Sequence, residues 1–197
     1  MTTKIRLVAG LGNIGREYAR TRHNAGFWFA DALADHLGAT FAAEARFAGQ
    51  VAKAGDVRVA KPSTYMNLSG RCVAALARFY DYAPGEILVV HDELDLKPGE
   101  AKMKLGGGVA GHNGLRDIQA QLGTPDFWRL RLGISHPRDT EQALRPVVDY
   151  VLGVPSADER RAIDSAIDRA LDAWPAMAAG DFERAMLKLH TQPRDAA

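Results

Sequence analysis

Cysteine is almost absent from the 197-residue sequence, which contains only Cys72. A single cysteine excludes an internal disulfide and fits a reducing compartment. Long apolar runs are also lacking, since none approaches the roughly 20 residues that a membrane span needs. The apolar stretch that ends at Ala9 is too short for the core of a secretory signal. We therefore expect a cytoplasmic protein that is not embedded in a membrane.

An excess of charge of one sign is missing as well, because 25 Lys and Arg residues face 24 Asp and Glu residues. A formal net charge of +1 gives no global basic field, so any contact with nucleic acid must come from a local group of cations. The sequence contains no internal repeat and no low-complexity linker. Its length fits a single domain, residues 1–197, with C-terminal helices at about 156–190.

Apolar β-branched runs alternate with helical patterns along the chain, which favours an α/β fold with a mixed, mostly parallel central sheet. The predicted strands cover residues 5–9, 50–54, 56–60, 87–90, 100–105 and 127–134. The predicted helices follow Asn24, which we expect to cap the first of them, then Gly70, Gly114 and Pro155. Ligands of such sheets bind beyond the carboxyl ends of the strands.

A candidate catalytic histidine, His23, lies in a polar segment before the first predicted helix. A lone histidine in such a place is more often a surface or capping residue. A catalytic imidazole needs a carboxylate that fixes its tautomer, and Asp92 follows a buried strand where such a partner is expected. Three asparagines in turn contexts could hold a peptide backbone or donate to an oxyanion: Asn13, Asn67 and Asn113.

Three other kinds of site are less well supported. The pattern Gly10-x-Gly12-x-x-Gly15 matches a dinucleotide fingerprint, but polar residues follow it where an apolar helix should begin. A metal could be bound by His23, His91, His112 and Asp92, although their spacing matches no pattern of paired ligands. A covalent nucleophile is not supported, because the sequence contains no Gly-x-Ser-x-Gly elbow and Cys72 falls inside a predicted helix.

Cations cluster in neighbouring predicted elements: Lys102, Lys104, Arg116, Arg129 and Arg131. Such charges often protect a solvated sheet edge. However, the two lysines project to one face of one strand, and Arg129 and Arg131 project to one face of another. If these strands pair, four cations share a patch that suits phosphates.

Five segments in this order resemble bacterial peptidyl-tRNA hydrolase: 10–13 (GLGN), 21–26 (TRHNAG), 65–70 (YMNLSG), 91–95 (HDELD) and 111–115 (GHNGL). The resemblance runs from Ile5 to about His136 and continues in a compatible helical tail. It implies hydrolysis of the ester that joins a peptide to the 3′ end of tRNA. It also implies a single-domain, three-layer αβα globule that is mainly monomeric, needs no metal or other cofactor, and has no obligate protein partner.

The resemblance also implies residue roles. His23 is the catalytic base and Asp92 the group that supports it. Asn13, a third catalytic residue, discriminates blocked from free aminoacyl-tRNA. The substrate and tRNA contacts are Tyr18, Tyr65, Asn67, Asn113, Lys104 and Arg131. A non-catalytic tRNA-binding module would use the same cations but would leave His23 and Asp92 without a role.

Overall fold

The computed structural model describes residues 3–191, and seven strands within that range form one sheet in the order β2-β3-β4-β1-β5-β7-β6. The strands are β1 (Leu7–Gly10), β2 (Phe41–Glu44), β3 (Gly49–Ala54), β4 (Val57–Pro62), β5 (Ile87–Glu93), β6 (Ala101–Leu105) and β7 (Trp128–Gly133). The four central strands, β4, β1, β5 and β7, are parallel, whereas β2, β3 and β6 add antiparallel margins. The predicted α/β fold with a mixed sheet is confirmed.

Six α-helices are found in the same range: α1 (Ala25–His36), α2 (Ser69–Tyr80), α3 (Asn113–Leu122), α4 (Val147–Val151), α5 (Ala157–Ala179) and α6 (Phe182–His190). Successive side chains of a strand point to opposite faces of the sheet. Val8 belongs to the apolar core beneath α1, α5 and α6, whereas its neighbour Leu7 belongs to the core beneath α2 and α3. The sheet is therefore the middle layer of an αβα arrangement.

The first helix approaches the sheet unusually closely at two glycines. A Cβ atom on Gly10 would lie 2.2 Å from the carbonyl oxygen of Gly26, and one on Gly26 would lie 2.3 Å from the carbonyl oxygen of Val90. Glycine at both positions lets the first turn of α1 rest on the ends of β1 and β5. This contact places the preceding 3₁₀ turn, Arg22–Asn24, at the carboxyl edge of the sheet.

Two local predictions are corrected. Asn24 occupies the N-cap position of α1 but makes no side-chain cap. Its amide instead exchanges two hydrogen bonds with the backbone of Asn13, because Asn24 Oδ1 accepts from Asn13 N at 2.8 Å and Nδ2 donates to Asn13 O at 3.0 Å. Strand β5 continues through Glu93, so Asp92 lies within the strand rather than after it.

The predicted single domain spans residues 1–197, and its two ends, residues 1–2 and 192–197, lie outside the described part of the chain. Between those ends, length and apolar character never combine in one helix to the degree that crossing a membrane would require. The two predicted C-terminal helices are present as α5 and α6.

Candidate active site

A cleft of about 570 Å³ opens where β1 and β5 end. Six of the residues predicted from the sequence line it: Asn13, His23, Tyr65, Asn67, Asp92 and Asn113. One wall is apolar and consists largely of α4, which contributes Val147, Val148 and Val151. Tyr18, Lys104 and Arg131 do not line the cleft. The fold thus gathers most of the predicted polar residues beside a surface that suits apolar groups.

His23 and Asp92 are in direct contact. His23 Nδ1 lies 2.9 Å from Asp92 Oδ1 and 3.0 Å from Oδ2. A carboxylate can only accept, so Nδ1 carries the proton of the neutral ring and Nε2 carries its lone pair. The Asp92 side chain is 2% exposed and the His23 side chain 13% exposed, so the ring lies between a buried carboxylate and the cleft.

The two groups change each other's pKa. Burial disfavours the charged form of His23, but the charge of Asp92 and its hydrogen bond outweigh burial and raise the His23 pKa above 6.5. Burial by itself would raise the pKa of Asp92, yet the charges and hydrogen bonds of His23 and His112 hold it well below its usual range. Asp92 is therefore an ionised carboxylate that favours a positive charge on its neighbours.

His112 is a second imidazole on the same carboxylate, with Nε2 at 3.0 Å from Asp92 Oδ1. The His23 and His112 rings lie 5.1 Å apart between centroids. From the sequence, His112 was only a candidate metal ligand, because spacing along the chain does not show which histidine reaches the carboxylate.

His91 is fully buried behind His112 and donates from Nδ1 to the carbonyl of Asp92 at 2.7 Å. Its burial lowers the His91 pKa to about 3, so this ring is neutral.

Among the described residues, a metal could be approached by His23, Asp92 and His112, which offer ligand atoms within 4.8 Å of one another. The two ring nitrogens that face Asp92 lie at hydrogen-bond distance from the same oxygen, Oδ1. A nitrogen that donates N–H to a carboxylate has no lone pair for a cation. The donor set in this geometry therefore fits a hydrogen-bonded triad better than a metal site.

Asn13 is fixed in orientation at the bottom of the cleft. Its backbone is held by Asn24, and its Oδ1 accepts from the backbone N–H of Met66 at 2.7 Å. The amide nitrogen Nδ2 has no hydrogen-bond partner within residues 3–191 and is available to the cleft. Met66, which sets this orientation through its backbone, carried no signal in the sequence because any residue except proline offers the same N–H.

Two of the three predicted contacts that do not line the cleft touch residues that line it. Tyr18 packs edge-on against Tyr65, with ring centroids 6.2 Å apart. Strands β6 and β7 pair as predicted, with Lys102 opposite Arg131 and Lys104 opposite Arg129. Arg131 bonds Glu93 at 3.1 Å. Four cations thus share one face of the paired strands.

Arg129 is a correction to the predicted patch, because it is 1% exposed and cannot meet a phosphate at the surface. Its two terminal nitrogens donate to the carbonyls of Gly108 at 2.6 Å and Gly107 at 2.8 Å. Arg129 therefore anchors the glycine-rich loop beside the cleft. The pattern of alternating cations could not distinguish this buried arginine from its neighbour Arg131.

Cys72 is fully buried in α2, and burial raises the pKa of its thiol to about 12. It is therefore no nucleophile, as its predicted place inside a helix indicated. The structure thus combines an αβα fold with an imidazole that is hydrogen bonded to a buried carboxylate beside a cleft at the strand ends. Enzymes that transfer protons use pairs of this kind.

Comparison with known proteins identifies the family. The model of the family described as peptidyl-tRNA hydrolase matches residues 7–196. The peptidyl-tRNA hydrolase of Bordetella avium is 60% identical over 195 residues, covering 97% of this chain and 94% of that protein. That of Neisseria gonorrhoeae is 55% identical over 196 residues, covering 98% and 100%. The crystal structure of the Acinetobacter baumannii enzyme superposes with a TM-score of 0.89 at 44% identity, covering 96% of each chain.

The chain belongs to the bacterial peptidyl-tRNA hydrolase family and is a hydrolase. The resemblance of the five sequence motifs is thereby confirmed.

Proposed function

We propose that the chain hydrolyses the ester between a peptide and the 3′ end of tRNA, and that His23 acts as a metal-independent general base supported by Asp92. The observation that carries this proposal is the bond between His23 Nδ1 and the buried Asp92 carboxylate at 2.9 Å. It leaves Nε2 as a base on the cleft side of the ring. Membership of the family supports the substrate class.

The chemistry follows from this geometry. Nε2 of His23 takes a proton from water as the water oxygen attacks the ester carbonyl. Asp92 stabilises the imidazolium that forms, as its effect on the His23 pKa indicates. When the tetrahedral intermediate collapses, the ribose oxygen leaves and receives the proton from His23. A positioned base of this kind contributes about 10²–10⁴ in rate.

The asparagines supply neutral donors. The fixed orientation of Asn13 presents its amide nitrogen to the cleft, where it can stabilise the developing oxyanion or hold an acylated nitrogen of the substrate. Asn67 and Asn113 line the same cleft and contact the peptide backbone or the terminal ribose. Because these groups are neutral, they favour an acylated substrate over one with a free ammonium group.

The tRNA is held outside the cleft. Lys104 and Arg131 bind a backbone phosphate, while Tyr18 and Tyr65 form an aromatic pair at the rim that contacts the substrate. We also propose that residues 1–197 form a single, monomeric domain that acts in the cytoplasm without a cofactor or an obligate protein partner.

Hydrolysis of N-acetyl-aminoacyl-tRNA by His23→Ala tests the proposal. We expect kcat to fall about 10²–10⁴-fold while tRNA binding stays close to that of the wild type. His36→Ala is the matched control, because His36 is an exposed histidine at the end of α1. The wild type should keep full activity with a chelator and should prefer the acetylated substrate to the free one. Near-normal turnover by a folded His23→Ala protein would refute His23 as the base.

A further inference from the structure

Directly before His23 the chain buries an arginine. The side chain of Arg22 is 2% exposed. Its Nη1 donates to the carbonyl of Tyr150 at 3.2 Å and its Nη2 to Glu159 Oε2 at 3.0 Å. The guanidinium carbon lies 4.1 Å from the centroid of the Tyr150 ring. Burying a guanidinium is costly unless it is paired and hydrogen bonded, so these contacts have to persist in the folded protein.

These partners belong to two consecutive helices in the C-terminal part of the chain. Tyr150 lies in α4, whose valines line the cleft, and Glu159 lies in the first turn of α5. The backbone N–H of Arg22 donates to the carbonyl of Gly153, between the two helices, at 3.0 Å. A Cβ on Gly153 would lie 3.0 Å from Nη1 of both Arg22 and Arg145, so two guanidinium groups fill the space against that backbone.

Glu159 is also fixed at the start of α5. Its Oε2 accepts from the backbone N–H of Ser156 at 2.6 Å as well as from Arg22, and the Ser156 hydroxyl accepts from Glu159 N at 3.1 Å. This capping box begins α5. Arg22 is therefore linked through one carboxylate to the start of α5 and through one carbonyl to α4.

We propose that Arg22 is a positioning residue that sets the distance between His23 and the α4 wall of the cleft. His23 shares with Arg22 the single 3₁₀ turn Arg22–Asn24, so the arginine fixes the backbone of the base relative to the wall. Asp92 orients the ring, whereas Arg22 places the turn that carries it. The inference rests on the proposed role of His23. A displacement of about 1 Å between base and substrate can cost about 10²-fold in rate.

Arg22→Lys tests the inference, because an ammonium group keeps the charge but loses the planar fork that reaches both partners. At a temperature where the variant is fully folded, we expect kcat for N-acetyl-aminoacyl-tRNA to fall about 10–10²-fold. KM should rise severalfold, because base and wall no longer hold the substrate together. The matched control is Arg6→Lys, since Arg6 also pairs with a glutamate, Glu86, and lies over an aromatic ring, that of Tyr82. Arg6→Lys should leave both constants unchanged.

A merely structural role would lower the melting temperature of Arg22→Lys and leave kcat and KM of the folded protein unchanged, and that result would overturn the inference. If Arg22→Lys does not fold, the same kinetic constants of Glu159→Gln test the inference instead. This variant keeps an oxygen acceptor but removes the charge that pairs with Arg22. We expect the same changes at smaller size, and unchanged constants would again overturn the inference. His23→Ala is measured in parallel: an active His23→Ala refutes the proposed base, whereas an inactive one beside a normal Arg22→Lys refutes only the role of Arg22.

Discussion

At the scale of single residues, the carboxylate of Asp92 governs the protonation of the site. This carboxylate accepts hydrogen bonds from two imidazoles, those of His23 at 2.9 Å and His112 at 3.0 Å, and it is almost inaccessible to water. The proposed mechanism needs a neutral His23 in the free enzyme, and the pKa of His23 lies above 6.5 because of this carboxylate. Below that pKa the ring is charged and cannot take a proton, so kcat/KM should rise with pH and level off once His23 is neutral.

Asp92→Asn should change both the height and the position of this pH profile. Without the carboxylate, the burial that lowers the His23 pKa is no longer opposed, so the rising limb of kcat/KM should move to lower pH. The plateau should fall about 10²–10⁴-fold, because the imidazolium is no longer stabilised. Asp35→Asn, at an exposed carboxylate of α1, is the control. A limb that keeps its position in Asp92→Asn would show that His23 is not the titrating base.

What the sequence predicts at this scale is the identity of polar residues in loops and at strand ends. His23, Asp92 and Asn13 carry such signals, because polar side chains there are not explained by the apolar pattern. His112, Arg22 and Arg129 act through partners that are distant in the chain, and no local pattern specifies those contacts. Arg22 even lies next to His23 in sequence, yet its partner Glu159 is 137 positions away.

At the scale of elements, the position of His23 depends on how closely α1 approaches the sheet. The Cβ of an alanine at Gly26 would lie 2.3 Å from Val90 O and 2.4 Å from Leu11 N, both of them backbone atoms that cannot rotate away. Gly26→Ala should therefore push α1 off the ends of β1 and β5. We expect a loss of unfolding free energy of about 3 kcal/mol or more, measured by denaturant unfolding, together with a loss of activity that exceeds the unfolded fraction.

Gly85→Ala is the matched control for Gly26→Ala. A Cβ at Gly85 would meet only the Thr3 methyl group at 3.4 Å, which is an ordinary contact. Its unfolding free energy should stay within about 0.5 kcal/mol of the wild type. If Gly26→Ala is as stable and active as Gly85→Ala, close contact between α1 and the sheet does not place the base.

Most helices and strands were predicted because they carry strong local sequence signals. Elements with weak signals were missed for physical reasons. The hairpin around Gly55, which has a φ of 59°, and the apolar strand β5 follow from turn chemistry and hydrophobic runs. Strand β2 was missed because it is a margin of only four residues, in which both alanines are exposed and Phe41 is the apolar residue that packs against the core. Asn24 was predicted as a cap because asparagine favours that position, but its tertiary bonds to Asn13 replace the cap.

At the scale of the whole molecule, a net charge of +1 is too small to attract a polyanion by itself. Recognition of a polyanion therefore depends on how the charged residues are distributed over the surface. The pairing of β6 with β7 brings Lys102, Lys104 and Arg131 to one margin of the sheet, next to the glycine-rich loop. The Cβ of an alanine at Gly107 would lie 2.6 Å from Lys104 Nζ, so this amine is packed directly against the loop that borders the cleft. The basic margin and the cleft are thus neighbours, as a substrate with an anionic and a peptide half requires.

The salt dependence of tRNA binding tests this division between the two halves of the substrate. Each phosphate contact contributes about 0.7–0.9 to the slope of log Kd against log salt concentration. Lys104→Ala and Arg131→Ala should each weaken binding of deacylated tRNA and reduce that slope by about one such contact. Lys53→Ala is the control, because Lys53 is an exposed cation on β3, near the opposite margin of the sheet. If both slopes equal that of the wild type, neither residue binds a phosphate, and the anionic half of the substrate must contact another surface. A reduced slope with kcat unchanged at saturating substrate would instead place both cations in binding and leave the chemistry to the cleft.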